Sequence, residues 1–68
     1  MERQRVVEAR RLAGVGQRDL AEFLGMSPQR LSDIERGHLP VPEGFDERVT
    51  SALEQILRDR LAALAGRS

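Results

Sequence analysis

The stretch QRDLAEFLGMSPQRLSDIERG, Gln17 to Gly37, decides how the rest of the chain is read. Leu20, Ala21 and Leu24 recur at helical spacing. Leu31 and Ile34 do so again after a break at Gly25-Met26-Ser27. Gly25 follows Leu24, where a left-handed residue ends a helix without a Cβ penalty. Ser27 can cap the next helix by accepting an orphan backbone N–H. Pro28 then falls at the first helical position, where its missing N–H costs nothing. Gly37 closes the second helix as Gly25 closes the first. The spacing predicts helices over 17–24 and 28–36, with the small Ala21 where they approach most closely.

Two short helices joined by a glycine-containing turn of three or four residues form a helix-turn-helix arrangement. Gln17, Leu20-Ala21, Gly25, Leu31, Ile34 and Glu35-Arg36-Gly37 resemble the phage repressor and Cro family (XRE-type) of DNA-binding domains. Arg10, seven residues before Gln17, matches a position that this family fills with arginine. The resemblance runs from about Val6 to about Leu57. It implies that the start of the 28–36 helix enters the major groove. It also implies that Gln17 holds a phosphate beside a helix N-terminus, and that Arg10 and Glu35 form a structural ion pair beneath the reading surface.

The outward positions of the 28–36 helix are the candidate base contacts: Pro28, Gln29, Arg30 and Asp33. Gln29 suits bidentate pairing with adenine, and Arg30 suits guanine or a phosphate. Asp33 can accept from a cytosine amine or simply repel phosphate. Pro28 stands where the family often has a polar contact residue, so that contact is lost or becomes apolar, against a thymine methyl. Candidate phosphate contacts are Gln17, Ser27, Arg36, His38 and Arg11. For the last three an ordinary solvated charge is an equal alternative.

Composition sets bounds. The 68 residues make one small domain, 1–68, with a modest core. There is no cysteine, so a disulfide framework and a thiolate metal site are both excluded. No run reaches membrane-spanning length and no signal-peptide pattern opens the chain, which makes a cytoplasmic protein the expectation; the resemblance to the phage repressor family implies a bacterial or phage origin. Eleven basic residues, all arginine, balance eleven acidic ones. A DNA-binding domain usually carries a basic footprint, so neutrality argues mildly against nucleic acid unless the surface distribution reverses it. Catalysis finds little support. His38 has no nucleophile-like neighbour, and Gly14-Val15-Gly16 follows a helix where a phosphate loop would follow a strand. Neither a cofactor nor a metal is expected.

Glu2 to Ala13 reads as a first helix, with Val6, Arg10 and Ala13 on one face and Val7 and Leu12 on a weaker second edge. Gly14 ends it and Val15 turns inward. The segment 38–44, with Pro40 and Pro42, is a linker; Leu39 and Val41 can pack down from it, Phe45 is its large anchor and Asp46 a candidate helix cap. From about Glu47 to Ala65, Val49, Leu53, Ile56, Leu57, Leu61 and Leu64 recur at three and four. That reads as one helix of roughly 28 Å where the family usually has two short ones. Gly66-Arg67-Ser68 reads as a frayed end.

The expected architecture is therefore all-α: a small helix-turn-helix bundle of four to five helices with a long C-terminal helix. The expected function is a sequence-specific transcriptional regulator, a repressor that binds double-stranded DNA at a two-fold operator as a homodimer. Leu57, Leu61 and Leu64 are its dimer interface, unless that half folds back near Val7 and Leu12 or frays. The alternative is a protein-interaction module on the same fold, an antitoxin or adaptor that binds another protein.

Overall fold

The computed structural model describes residues 2–66. Four helices follow in order: α1 (Glu2–Ala13), α2 (Gln17–Leu24), α3 (Pro28–Arg36) and α4 (Phe45–Ala65). No strand occurs among the described residues. The expected fraying of Arg67 and Ser68 lies outside them, and the Gly66 N–H still bonds the Ala62 carbonyl at 2.9 Å.

The turn chemistry accounts for the α2–α3 corner. Gly25 adopts φ +75° and its N–H bonds back to the end of α2. The Ser27 hydroxyl accepts the Arg30 N–H at 3.1 Å, and Pro28 opens the helix. Leu20 and Ala21 of α2, with Leu31 and Ile34 of α3, are fully buried, so the two helices close over small and branched side chains.

The core is one cluster. Val6, Val15, Leu20, Leu31, Ile34, Phe45, Val49, Ala52, Leu53 and Ile56 are all buried, and Phe45 is its largest member. A phenylalanine of this size removes about 150–250 Å² from water, which makes it a main contributor to so small a core. From the linker Val41 packs on this cluster, whereas Leu39 stays exposed.

One expectation needs correction, and one alternative is set aside. The last helix begins at Phe45, two residues before the expected start at about 47, and Asp46 does not cap it. The N-cap is Gly44 in a left-handed conformation. Asp46 lies in the first turn, where its charge suits the helix dipole, and it accepts from Arg5 of α1 at 3.2 Å. The back half of α4 does not fold down onto α1: Leu12 is 90% exposed, and Leu57, Leu61 and Leu64 are 38%, 66% and 63% exposed. At 21 residues α4 is about 31 Å long, and it outruns α1 and α2, the helices that pack on it.

Arginines fasten α4 to the rest. Arg48 donates to the Leu24 carbonyl at 3.1 Å, satisfying the end of α2. Arg60 donates to the Gly14 carbonyl at 3.3 Å and pairs with Asp19 at 3.5 Å. With Arg5–Asp46 near its start and Arg60–Gly14 further along, α4 runs alongside α1 in the same direction.

Candidate nucleic-acid interface

The interface is built on a shielded polar knot. The Arg10 guanidinium donates to both oxygens of Glu35, Nε to Oε2 at 2.7 Å and Nη2 to Oε1 at 3.0 Å. Its Nη1 donates to the Val15 carbonyl at 3.0 Å. Gln17 Nε2 donates to Glu35 Oε1 at 2.7 Å. The Arg10 and Glu35 side chains are only 12% and 5% exposed. A bidentate arginine–carboxylate pair is directional as well as strong. This one joins α1, the loop before α2, the first residue of α2 and the last turn of α3. It sets the tilt of α3 relative to the α2 N-terminus.

Gln17 thus has a second duty that its sequence position did not reveal. One amide hydrogen is spent on Glu35; the other, with the carbonyl oxygen, remains for a ligand. The N-cap of α2 is Gly16, whose lack of a side chain leaves the first-turn N–H groups without a side-chain partner. Backbone donors of this kind, at the positive end of a helix dipole, suit a phosphate.

Above the knot, α3 carries its outward ridge. Gln29, Asp33 and Arg36 fall at i, i+4 and i+7, opposite the buried Leu31 and Ile34. Pro28 and Arg30 flank them, and all but the half-buried Asp33 are exposed. Gln29 Nε2 donates to Asp33 Oδ1 at 3.1 Å, and His38 Nδ1 lies 3.7 Å from the same oxygen. Asp33 therefore orders Gln29 and gathers His38 toward the ridge. Gln29 keeps one amide hydrogen and its carbonyl oxygen uncommitted. Ser27 accepts from Arg30 and keeps its own hydroxyl hydrogen to donate. The structure thus brings Gln29, Asp33, Arg36 and His38 to one side of α3 and its C-terminus, with Pro28 and Arg30 on its two flanks. Arg11 stands apart, exposed on α1, and shares a hollow with Arg36.

The charge distribution resolves the neutrality of the chain. Arg5, Arg10, Arg48 and Arg60 are engaged by Asp46, Glu35, the Leu24 carbonyl and the Asp19–Gly14 pair. Among the described residues the guanidiniums of Arg3, Arg11, Arg18, Arg30 and Arg36 in the first three helices have no hydrogen bond or ion pair, and that of Arg58 on α4 is alike. Among the described side chains the carboxylates without one are Glu8, Glu22, Glu43, Glu47 and Glu54, mostly on the α2 back, the linker and α4. Sequence reasoning assigned Arg3, Arg48 and Arg60 no role. The only available signal was that Arg3, Val7 and Arg11 share one edge of α1.

Two short helices closed by a glycine turn, the second presenting a polar ridge over a buried core, define a helix-turn-helix domain. A family model described as a helix-turn-helix domain matches residues 4–64, and the chain belongs to that family. Membership agrees with the repressor and Cro-type resemblance and points to a DNA-binding regulator. No curated protein and no solved structure matches the chain. No helix among the described residues is long and apolar enough to cross a membrane.

Proposed function

We propose that the protein is a non-enzymatic, cytoplasmic, sequence-specific DNA-binding repressor that acts as a homodimer on a two-fold operator. The observation that carries this reading is the α3 ridge, locked by the Arg10–Glu35–Gln17 knot beneath it. In this reading Gln29 and Arg30 read base edges, Pro28 offers an apolar contact, and Asp33 either accepts from a cytosine amine or holds Gln29 in place. Gln17, Ser27, Arg36, His38 and Arg11 lie toward the backbone.

The exposed apolar seam supports the dimer. Asp46, Thr50, Leu53, Leu57, Leu61 and Leu64 follow one face of α4, and Arg5, Ala9 and Leu12 one face of α1. The Arg5–Asp46 pair joins the two stripes. Leu12, Leu57, Leu61 and Leu64 then border one seam, and a two-fold interface lets a single apolar patch serve both subunits. Two reading helices on such a dimer address half-sites about 34 Å apart.

Selection from random duplexes tests the reading; a two-fold motif with half-sites one helical turn apart is expected. Enrichment of no motif transfers the assignment to the adaptor or antitoxin class. That second reading draws on Phe23, exposed between α2 and α4 beside Asp19, Glu22 and Asp59.

A further inference from the structure

We propose that Arg3, Arg11 and Arg36 form one phosphate-binding hollow, through which α1 grips the DNA backbone alongside α3. The proposal rests on the DNA-binding reading and adds to it a residue, Arg3, and an element, α1. The hollow lies at the junction of the two helices and is lined by Arg3, Val7, Glu8, Arg11, Glu35 and Arg36.

Its electrostatics are unbalanced. None of the three guanidiniums has a hydrogen bond or ion pair among the described residues. Glu35, the carboxylate at the floor, is already taken by Arg10 and Gln17. Among the described lining residues Glu8 alone remains to offset three positive charges. Like charges gathered in a concave site concentrate a positive field, and an anion relieves it. The geometry selects the anion. Arg36 ends the outward ridge that begins at Gln29, so DNA lying along that ridge passes the mouth of the hollow. Guanidinium groups suit phosphate oxygens because their donors are planar and paired.

A purely structural role explains part of the cluster but not all of it. The Arg3 guanidinium lies over Gly37, where a Cβ would collide with it, and Arg36 is in the last turn of α3. Both positive charges complement the negative end of the α3 dipole. Arg11 stands eight residues beyond Arg3 along α1, about 12 Å. Such a spacing fits a length of backbone rather than a point charge.

The test is the salt dependence of operator affinity for the intact chain. Each phosphate contact contributes about 0.9 to the slope of log affinity against log salt. Arg3→Gln with Arg11→Gln is expected to reduce that slope by about 1 to 2 per subunit and to leave the preferred sequence unchanged. Arg3→Lys with Arg11→Lys is expected to keep most of the slope. Arg58→Gln, an equally unpaired guanidinium placed on α4, is expected to leave it untouched. Circular dichroism checks folding, and the single Arg3→Gln and Arg11→Gln variants are read if the pair destabilises the domain. A wild type that binds a defined site, with the glutamine variants keeping its full slope, overturns this hollow alone. A wild type that selects no duplex overturns the DNA reading and this proposal with it.

Discussion

Replacing Arg10 with methionine keeps much of the side-chain volume and removes three hydrogen bonds at once. Glu35 Oε2 is left without a donor, Oε1 keeps only Gln17, and the Val15 carbonyl loses its side-chain partner. Because the Glu35 side chain is 5% exposed, water cannot replace the guanidinium without the structure opening. Breaking a buried pair by removing one partner costs about 3–5 kcal/mol. A chain of 68 residues is expected to have a total stability of roughly 3–10 kcal/mol, at about 0.05–0.15 kcal/mol per residue. The loss is therefore a large fraction of the whole. At about 4–8 °C per kcal/mol for a domain this small, Arg10→Met should melt at least about 12 °C below wild type. Melting is followed by circular dichroism at a single protein concentration, because dissociation of the proposed dimer would also contribute to the transition. Arg10→Met combined with Glu35→Leu should recover much of the loss, since no charge is then buried alone. Equal melting temperatures for wild type and Arg10→Met would refute the reasoning, as would a double variant no more stable than the single one.

Three further outcomes are expected. Gln29→Ala or Arg30→Ala should cost about 1–3 kcal/mol on the selected operator and relax discrimination at one base pair; an equal loss on unrelated DNA would make that residue a backbone contact. Gln17→Ala should weaken binding evenly on all sequences in a titration series, and should also lower the melting temperature slightly because Glu35 loses a donor. Leu61→Glu should sediment at the monomer mass, stay folded and lose most operator affinity, with Leu12→Glu acting in the same direction; a wild type that is monomeric at high concentration yet binds its operator tightly would remove the dimer.

The helix boundaries around the turn were legible because each rests on a local cause. Gly25, Ser27, Pro28 and Gly37 act within three residues of themselves, and α1, α2 and α3 start and stop where those signals and Gly14 place them. The start of α4 was misjudged because Asp46 looked like a cap. Its carboxylate is drawn instead to Arg5, forty-one positions away, and Gly44 begins the helix with no side-chain cap at all. The same limit applies to Gln17. Its place at the head of α2 suggested a ligand contact, but its bond to Glu35 depends on how α2 and α3 pack, which no window of sequence contains.

Net charge was the least legible property, because neutrality is a sum while a binding surface is a difference. Pairing decides which charges remain for a partner. Arg10 is withdrawn from solvent together with Glu35, and Arg5 and Arg60 sit against Asp46 and Asp19 on the α4 side. Each pair removes one charge of either sign from the reckoning, so the count stays at zero while the remainder sorts by face. What is left on α1, the head of α2 and α3 is Arg3, Arg11, Arg18, Arg30 and Arg36, facing few free carboxylates. A protein arranged this way has weak long-range attraction for DNA, since at a distance beyond the Debye length of about 8–10 Å its charges largely cancel. Close to the duplex the basic face alone is felt. In the proposed reading, discrimination between sites then depends on the α3 ridge fitting a particular groove, because non-specific affinity from total charge is small.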